Sequence, residues 1–147
     1  MIPLPNPGYF TTWSAVLIGV ALVIHAVMPC HSLAAAAVVN SIVVGIAGPA
    51  VLAYGNIPGP APSLFQSNFI YHALPMLVCV AMTGVVRKAP AAEVVGLIAL
   101  FNVMWFLSGH NGQYAWEKTK TLYGVADPCW VVAIPAMQLG TLYLLRR

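Results

Sequence analysis

Residues 11–47 read TTWSAVLIGVALVIHAVMPCHSLAAAAVVNSIVVGIA, and none of them is Asp, Glu, Lys or Arg. The bare stretch extends both ways, and the first charged side chain in the chain is Arg87. A soluble domain is charged at about a quarter of its residues. This 147-residue chain is 6% charged and 61% hydrophobic. The sequence therefore predicts lipid as the solvent and an all-α fold: a polytopic integral membrane helical bundle. A spanning helix needs about 20 apolar residues, so about five transmembrane helices would use nearly the whole length as one domain.

Working outward, Pro7-Gly8 precede a first helix over about 11–28, closed by Pro29. A second helix runs over about 32–54, with Ser32 as N-cap and a kink expected at Pro49. The Gly- and Pro-rich stretch 55–62 is a loop. A third helix covers about 63–86, opening on Ser63 and Gln66 at capping-box spacing. Arg87-Lys88 mark the water beyond it. The fourth helix, about 90–109, starts at Pro90 with Glu93 in its first turn, where the helix dipole favours an acid. A polar stretch from His110 to Gly124 follows. Asp127-Pro128 then open a fifth helix over about 127–145.

Several classes are excluded. A net charge of +3, thinly scattered, does not suit nucleic acid. Cys30, Cys79 and Cys129 are odd in number and form no CxxC pair, against a disulfide framework or a structural zinc site. No metal and no soluble cofactor is expected. The N-terminus has no basic n-region, unlike a cleaved signal peptide. Five spans place the chain ends on opposite sides of the bilayer. Calling the N-terminal side A, side B receives Arg87, Lys88, Arg146 and Arg147, and side A receives Lys118 and Lys120. The positive-inside rule then makes side B, with the Arg87-Lys88 loop and the C-terminus, cytosolic.

Polar side chains inside lipid need a reason. Asn68, His72 and Cys79 fall on one face of the third helix, with His72 about two turns in from side A. Pro75 removes a backbone donor and frees a carbonyl near Tyr71, which opens the helix locally. Asn102 and Trp105 lie at similar depth on the fourth helix, and His110 caps that helix on side A. Thr11, Thr12 and Ser14 open the first helix on the same side. His25 and His31 lie near side B.

Each residue has a structural alternative. An intramembrane His is often a satisfied interhelical hydrogen bonder. A Thr near a helix start caps or back-bonds to a carbonyl, Asn40 and Asn102 join helices, and the cysteines act as small apolar residues. The chemical reading takes a Thr or Cys nucleophile with a His base, since a hydroxyl attacks only once an imidazole takes its proton. Cys30-His31 is an acidifiable thiol beside an imidazole, but the two point different ways around a helix. Thr11 and His72 share a depth. Thr12, Asn68, Asn102, His110 and Tyr114 are the supporting polar residues around them.

The same residues carry a family resemblance. Tyr9-Phe10-Thr11-Thr12 resembles the Tyr/Phe-Leu-Thr-Phe segment of the androgen-induced-gene family of intramembrane threonine hydrolases, whose Thr is the nucleophile. Asn6 to Thr12 also resembles the Asn-Pro-Cys-His-Val-Thr-Thr segment of the related YwaF-type family, which includes transmembrane protein 164, an acyltransferase. Gly8 stands at the acyltransferase's cysteine, so a cysteine mechanism there is excluded. His72-Ala73-Leu74-Pro75 looks like the family's His…Pro signature, with a shorter spacing than the hydrolases use. Gly109 through Tyr123 looks like their Gly-x-Trp-x-Tyr-Pro segment.

The resemblance implies an intramembrane lipid acyl-ester hydrolase or acyltransferase, with Thr11 as nucleophile and His72 as base. Membrane lipids would be its partners, with or without a homo-oligomer or larger membrane complex. The non-enzymatic readings are an accessory or assembly subunit of a membrane complex, and a small-solute or proton pathway lined by Asn68, His72 and Asn102.

Overall fold

The computed structural model describes residues 10–54, 72–107, 121–122 and 125–147. The fold is all-helical apart from one two-residue ladder. In chain order the helices are α1 (Phe10–Val27), α2 (His31–Tyr54), α3 (Leu74–Val80), α4 (Gly84–Lys88), α5 (Ala91–Leu107) and α6 (Asp127–Arg146). Strands β1 (Thr121–Leu122) and β2 (Val125–Ala126) pair antiparallel, with Thr121 opposite Ala126.

Helix α2 is the axis of the fold. It packs against α1, α3, α4, α5 and α6. Its run from Ala34 to Ser41 is buried at every position, so no face is left for solvent. The alanines at 34 to 37 make this possible, because small side chains let neighbouring backbones approach closely. Gly45 carries the same logic further. A Cβ added there would lie 2.6 Å from the Met76 sulfur and 2.7 Å from the Met76 Cβ. Only glycine admits α3 at that distance.

The chain alternates in direction, as end-to-end contacts record. Phe10 at the start of α1 meets Trp105 near the end of α5. At the opposite end, the Ser32 hydroxyl on α2 donates to a Glu93 carboxylate oxygen on α5 at 2.5 Å. Ser32 was expected to cap α2, but that helix already begins at His31, which frees the hydroxyl for Glu93.

The expected third helix, 63–86, is divided. Residues 63–71 lie outside the described residues. The backbone winds in π fashion at 72–73, runs as α3, and tightens at Ala81–Thr83 before α4. There the Met82 and Thr83 amides donate three residues back, to Cys79 and Val80. Ala81 and Thr83 keep right-handed helical dihedrals, so this is a change of pitch within one rod. The π turn has a cause in Pro75, which has no N–H and whose ring crowds the carbonyl four residues back. Widening the preceding turn relieves that crowding. At Pro49, by contrast, α2 continues without a break to Tyr54.

Arginines fasten the end that holds Ser32 and Glu93. Arg146 of α6 donates to the Val86 and Ala89 carbonyls, at 2.8 and 2.6 Å, covering the C-terminus of α4. Arg87 of α4 donates in return to the Leu145 carbonyl of α6 at 3.4 Å. Each helix end, with its exposed carbonyls and negative dipole, receives a cation from the other. Arg147 folds back over Tyr143, its guanidinium 4.6 Å from the ring centre.

Gly45→Val is expected to cost about 1–3 kcal/mol, as an overpacked core does. The check is unfolding of the detergent-solubilised protein in rising dodecyl sulfate, where Gly84→Ala, which meets nothing within 4 Å, serves as control.

Candidate functional site: a threonine–histidine pair beside an aromatic cluster

At the end opposite the arginines, α1, α2, α5 and α6 converge on a cluster of Phe10, Val44, Phe101, Trp105 and Ile134. Phe10 stands edge-on to Phe101, with ring centres 5.4 Å apart, and to Trp105 at 5.2 Å. Such geometry sets the positive edge of one ring against the negative face of another. It fixes the first turn of α1 against the bundle. Thr11 is the next residue along that turn.

Across from it, the π turn before α3 presents His72. The Thr11 Oγ1 and His72 Nε2 atoms are 3.4 Å apart, a long contact between half-buried groups 61 residues apart in sequence. Catalytic hydrogen bonds are often long before substrate binds and tighten later. Two devices hold the pair. The aromatic cluster sets the height and rotation of α1, and the Gly45–Met76 approach seats α3 one helical turn beyond His72.

Thr12 follows Thr11 on α1 and is half-buried. Asn68, His110 and Tyr114 lie outside the described residues. Asn102 is described, but it belongs to a separate polar group. Its Nδ2 donates to the Gln138 Oε1 at 2.6 Å, and the Gln138 Nε2 donates to the Asn40 Oδ1 at 2.5 Å. Three side-chain amides thus tie α5, α6 and α2 together through the core. Gln138 and Asn40 are fully buried. Among the described residues, the Asn40 Nδ2 and the buried Ser14 hydroxyl find no partner.

Gln138 was absent from the sequence-based candidates. Its signal was available: it is the sole amide between Asp127 and Arg146. Among apolar helices, one buried amide of this kind implies an interhelical partner.

His25 and His31 face each other at the arginine end, with ring centres 5.4 Å apart. Both Nδ1 atoms are buried, without a partner among the described residues. Cys30 lies at that end too, remote from Thr11. Among the described residues, no group of three or more His, Cys, Asp or Glu side chains could hold a metal ion.

No family model, no curated protein and no solved structure matches this chain.

Replacing Gln138 by Leu leaves the Asn40 and Asn102 amides without their shared partner. Interhelical bonds of this kind are worth about 0.6–1.7 kcal/mol each in a membrane. The expected loss is therefore about 1–3 kcal/mol in a dodecyl sulfate titration.

Proposed function

We propose that the chain is a polytopic membrane protein in which Thr11 and His72 cleave or transfer lipid acyl esters. The observation that carries this reading is the 3.4 Å approach of the threonine hydroxyl to the imidazole nitrogen.

The surface supports a membrane setting. Helix α1 is long and apolar enough to cross a bilayer. On α5, Val94, Ile98, Phe101 and Trp105 face inward, while Leu100, Val103, Met104 and Leu107 are exposed. A helix that is apolar on both faces suits lipid rather than water. On α6, Val132 and Leu144 are about 70% exposed, which extends the apolar surface. In this reading α1, α2, α3 with α4, α5 and α6 form five crossings, and the arginine end faces the cytosol.

The chemistry follows from the pair. The Nε2 of a neutral His72, in its Nδ1–H tautomer, accepts the Thr11 proton as Oγ1 attacks the ester carbonyl. A C–O bond forms and the carbonyl becomes an oxyanion. Collapse of that intermediate breaks the ester C–O bond, and the departing alkoxide takes the proton from His72. The acyl group then sits on Thr11. A water or a second lipid hydroxyl, deprotonated by His72, attacks it and restores the threonine. Water gives hydrolysis, and a lipid alcohol gives transfer. Lipid is the natural substrate, because the described helices around the pair present an apolar exterior. The likeness of the Thr11 and His72 segments to the threonine hydrolases points the same way.

The pathway reading is less well supported. It needs His72 and Asn102 along one track, whereas Asn102 is bonded to Gln138.

The test is covalent labelling by a fluorophosphonate probe in membranes. Thr11→Ala should abolish labelling, and Thr11→Ser should retain it. His72→Ala should slow it by about 10²–10⁴-fold, the usual contribution of a general base. Labelling that persists unchanged in both alanine variants refutes the dyad.

A further inference from the structure

One side of α5 lines an open trough. Val95, Ala99, Val103 and Leu107 form a row four residues apart, with Ile98, Asn102 and Phe106 beside it. These positions lie on a single helix face. Pro135 and Leu139 of α6 supply the facing wall, and the cavity volume is about 380 Å³. Volumes of about 300–1,000 Å³ are usual for small-molecule sites, as is an apolar lining with very few polar groups. Here the one polar lining side chain is Asn102. The trough lies on α5 away from the face that meets Phe10, so it is distinct from the Thr11–His72 pair.

We propose that this trough holds one acyl chain of a membrane lipid. The inference rests on the membrane setting argued above and not on the dyad's chemistry. Three observations select this occupant. No lining residue is charged, so nothing in the trough would hold a charged peptide or a phosphate. The trough is also elongated along α5. From Val95 to Leu107 is twelve residues, or about 18 Å at about 1.5 Å per residue. A methylene chain, whose carbons pack about 4 Å from their neighbours, fits along the full length. Finally, Asn102 has spent only one N–H on Gln138. Its other N–H and its carbonyl remain to meet an ester or hydroxyl where the chain joins its headgroup.

The test uses the full chain in phosphatidylcholine vesicles that contain a trace of phosphatidylcholine with a diazirine on one acyl chain. Flotation first establishes whether the protein inserts. After photolysis, adducts are mapped by peptide mass spectrometry. They should concentrate on residues 95–107 and on Leu139, and drop several-fold in Ala99→Trp. Ala99 is exposed, so the indole would fill the trough and leave the core intact. Val103→Trp is the second variant and should act likewise.

Adducts spread equally over the exposed valines of α1, and unmoved by either tryptophan, overturn the proposal. So does disulfide pairing of two Ala99→Cys chains with loss of label, which would make a second copy the occupant. Failure to float would refute the membrane setting itself, and this proposal with it. Labelling at the trough in a protein that ignores fluorophosphonate would leave the lipid site standing and the dyad refuted.

Discussion

The structure depends on the enclosure of α2. A helix without a free face must find complementary surface on all sides, and the run from Ala34 to Ser41 is hidden at every position. Small side chains keep the neighbouring backbones near. The amides of Asn40, Gln138 and Asn102 then fix which neighbour occupies which side, because a misplaced helix would strand an amide among apolar side chains. Apolar contact supplies cohesion here and the amide chain supplies identity.

Vertical information was legible in the sequence, and lateral information was not. Prolines, glycines and the rare charges place helix ends to within a residue or two, and α1, α2 and α6 begin and end close to where those signals put them. Depth follows at once, because each residue adds about 1.5 Å. This is why Thr11 and His72 could be paired from the sequence as neighbours in height, and the coordinates place them within 3.4 Å. Rotation is a different matter. Helices α2 and α5 are apolar all round, so no periodicity says which face turns inward. The partnership of Asn102 with Gln138, rather than with the histidine at similar height, was hidden for that reason. So was the trough on the outer side of α5. The tightened turn at Ala81–Thr83 left no mark in residue type either.

Pro75 shows how a local rule becomes a site. A proline in a helix displaces the turn before it, and the residue in that turn is His72. Without the widened winding, the imidazole would project from a regular helix at a different angle and height. Wide turns of this kind recur where proteins place reactive groups, since they re-aim one side chain while the rest of the helix keeps its packing. Gly45 serves the same end from the opposite side, letting Met76 and the start of α3 settle against α2.

The exchange of arginines between α4 and α6 makes the bundle mechanically lopsided. Two guanidinium groups and the Ser32–Glu93 bond lock one rim. At the other rim, Phe10 stands edge-on to Phe101 and Trp105, an apolar contact with no charged clasp among the described residues. A bundle clasped in this way would part first at Phe10 and Trp105, because parting the arginine rim breaks charge-assisted hydrogen bonds as well as apolar contact. Such a parting would uncover the Thr11 hydroxyl, one residue along from Phe10.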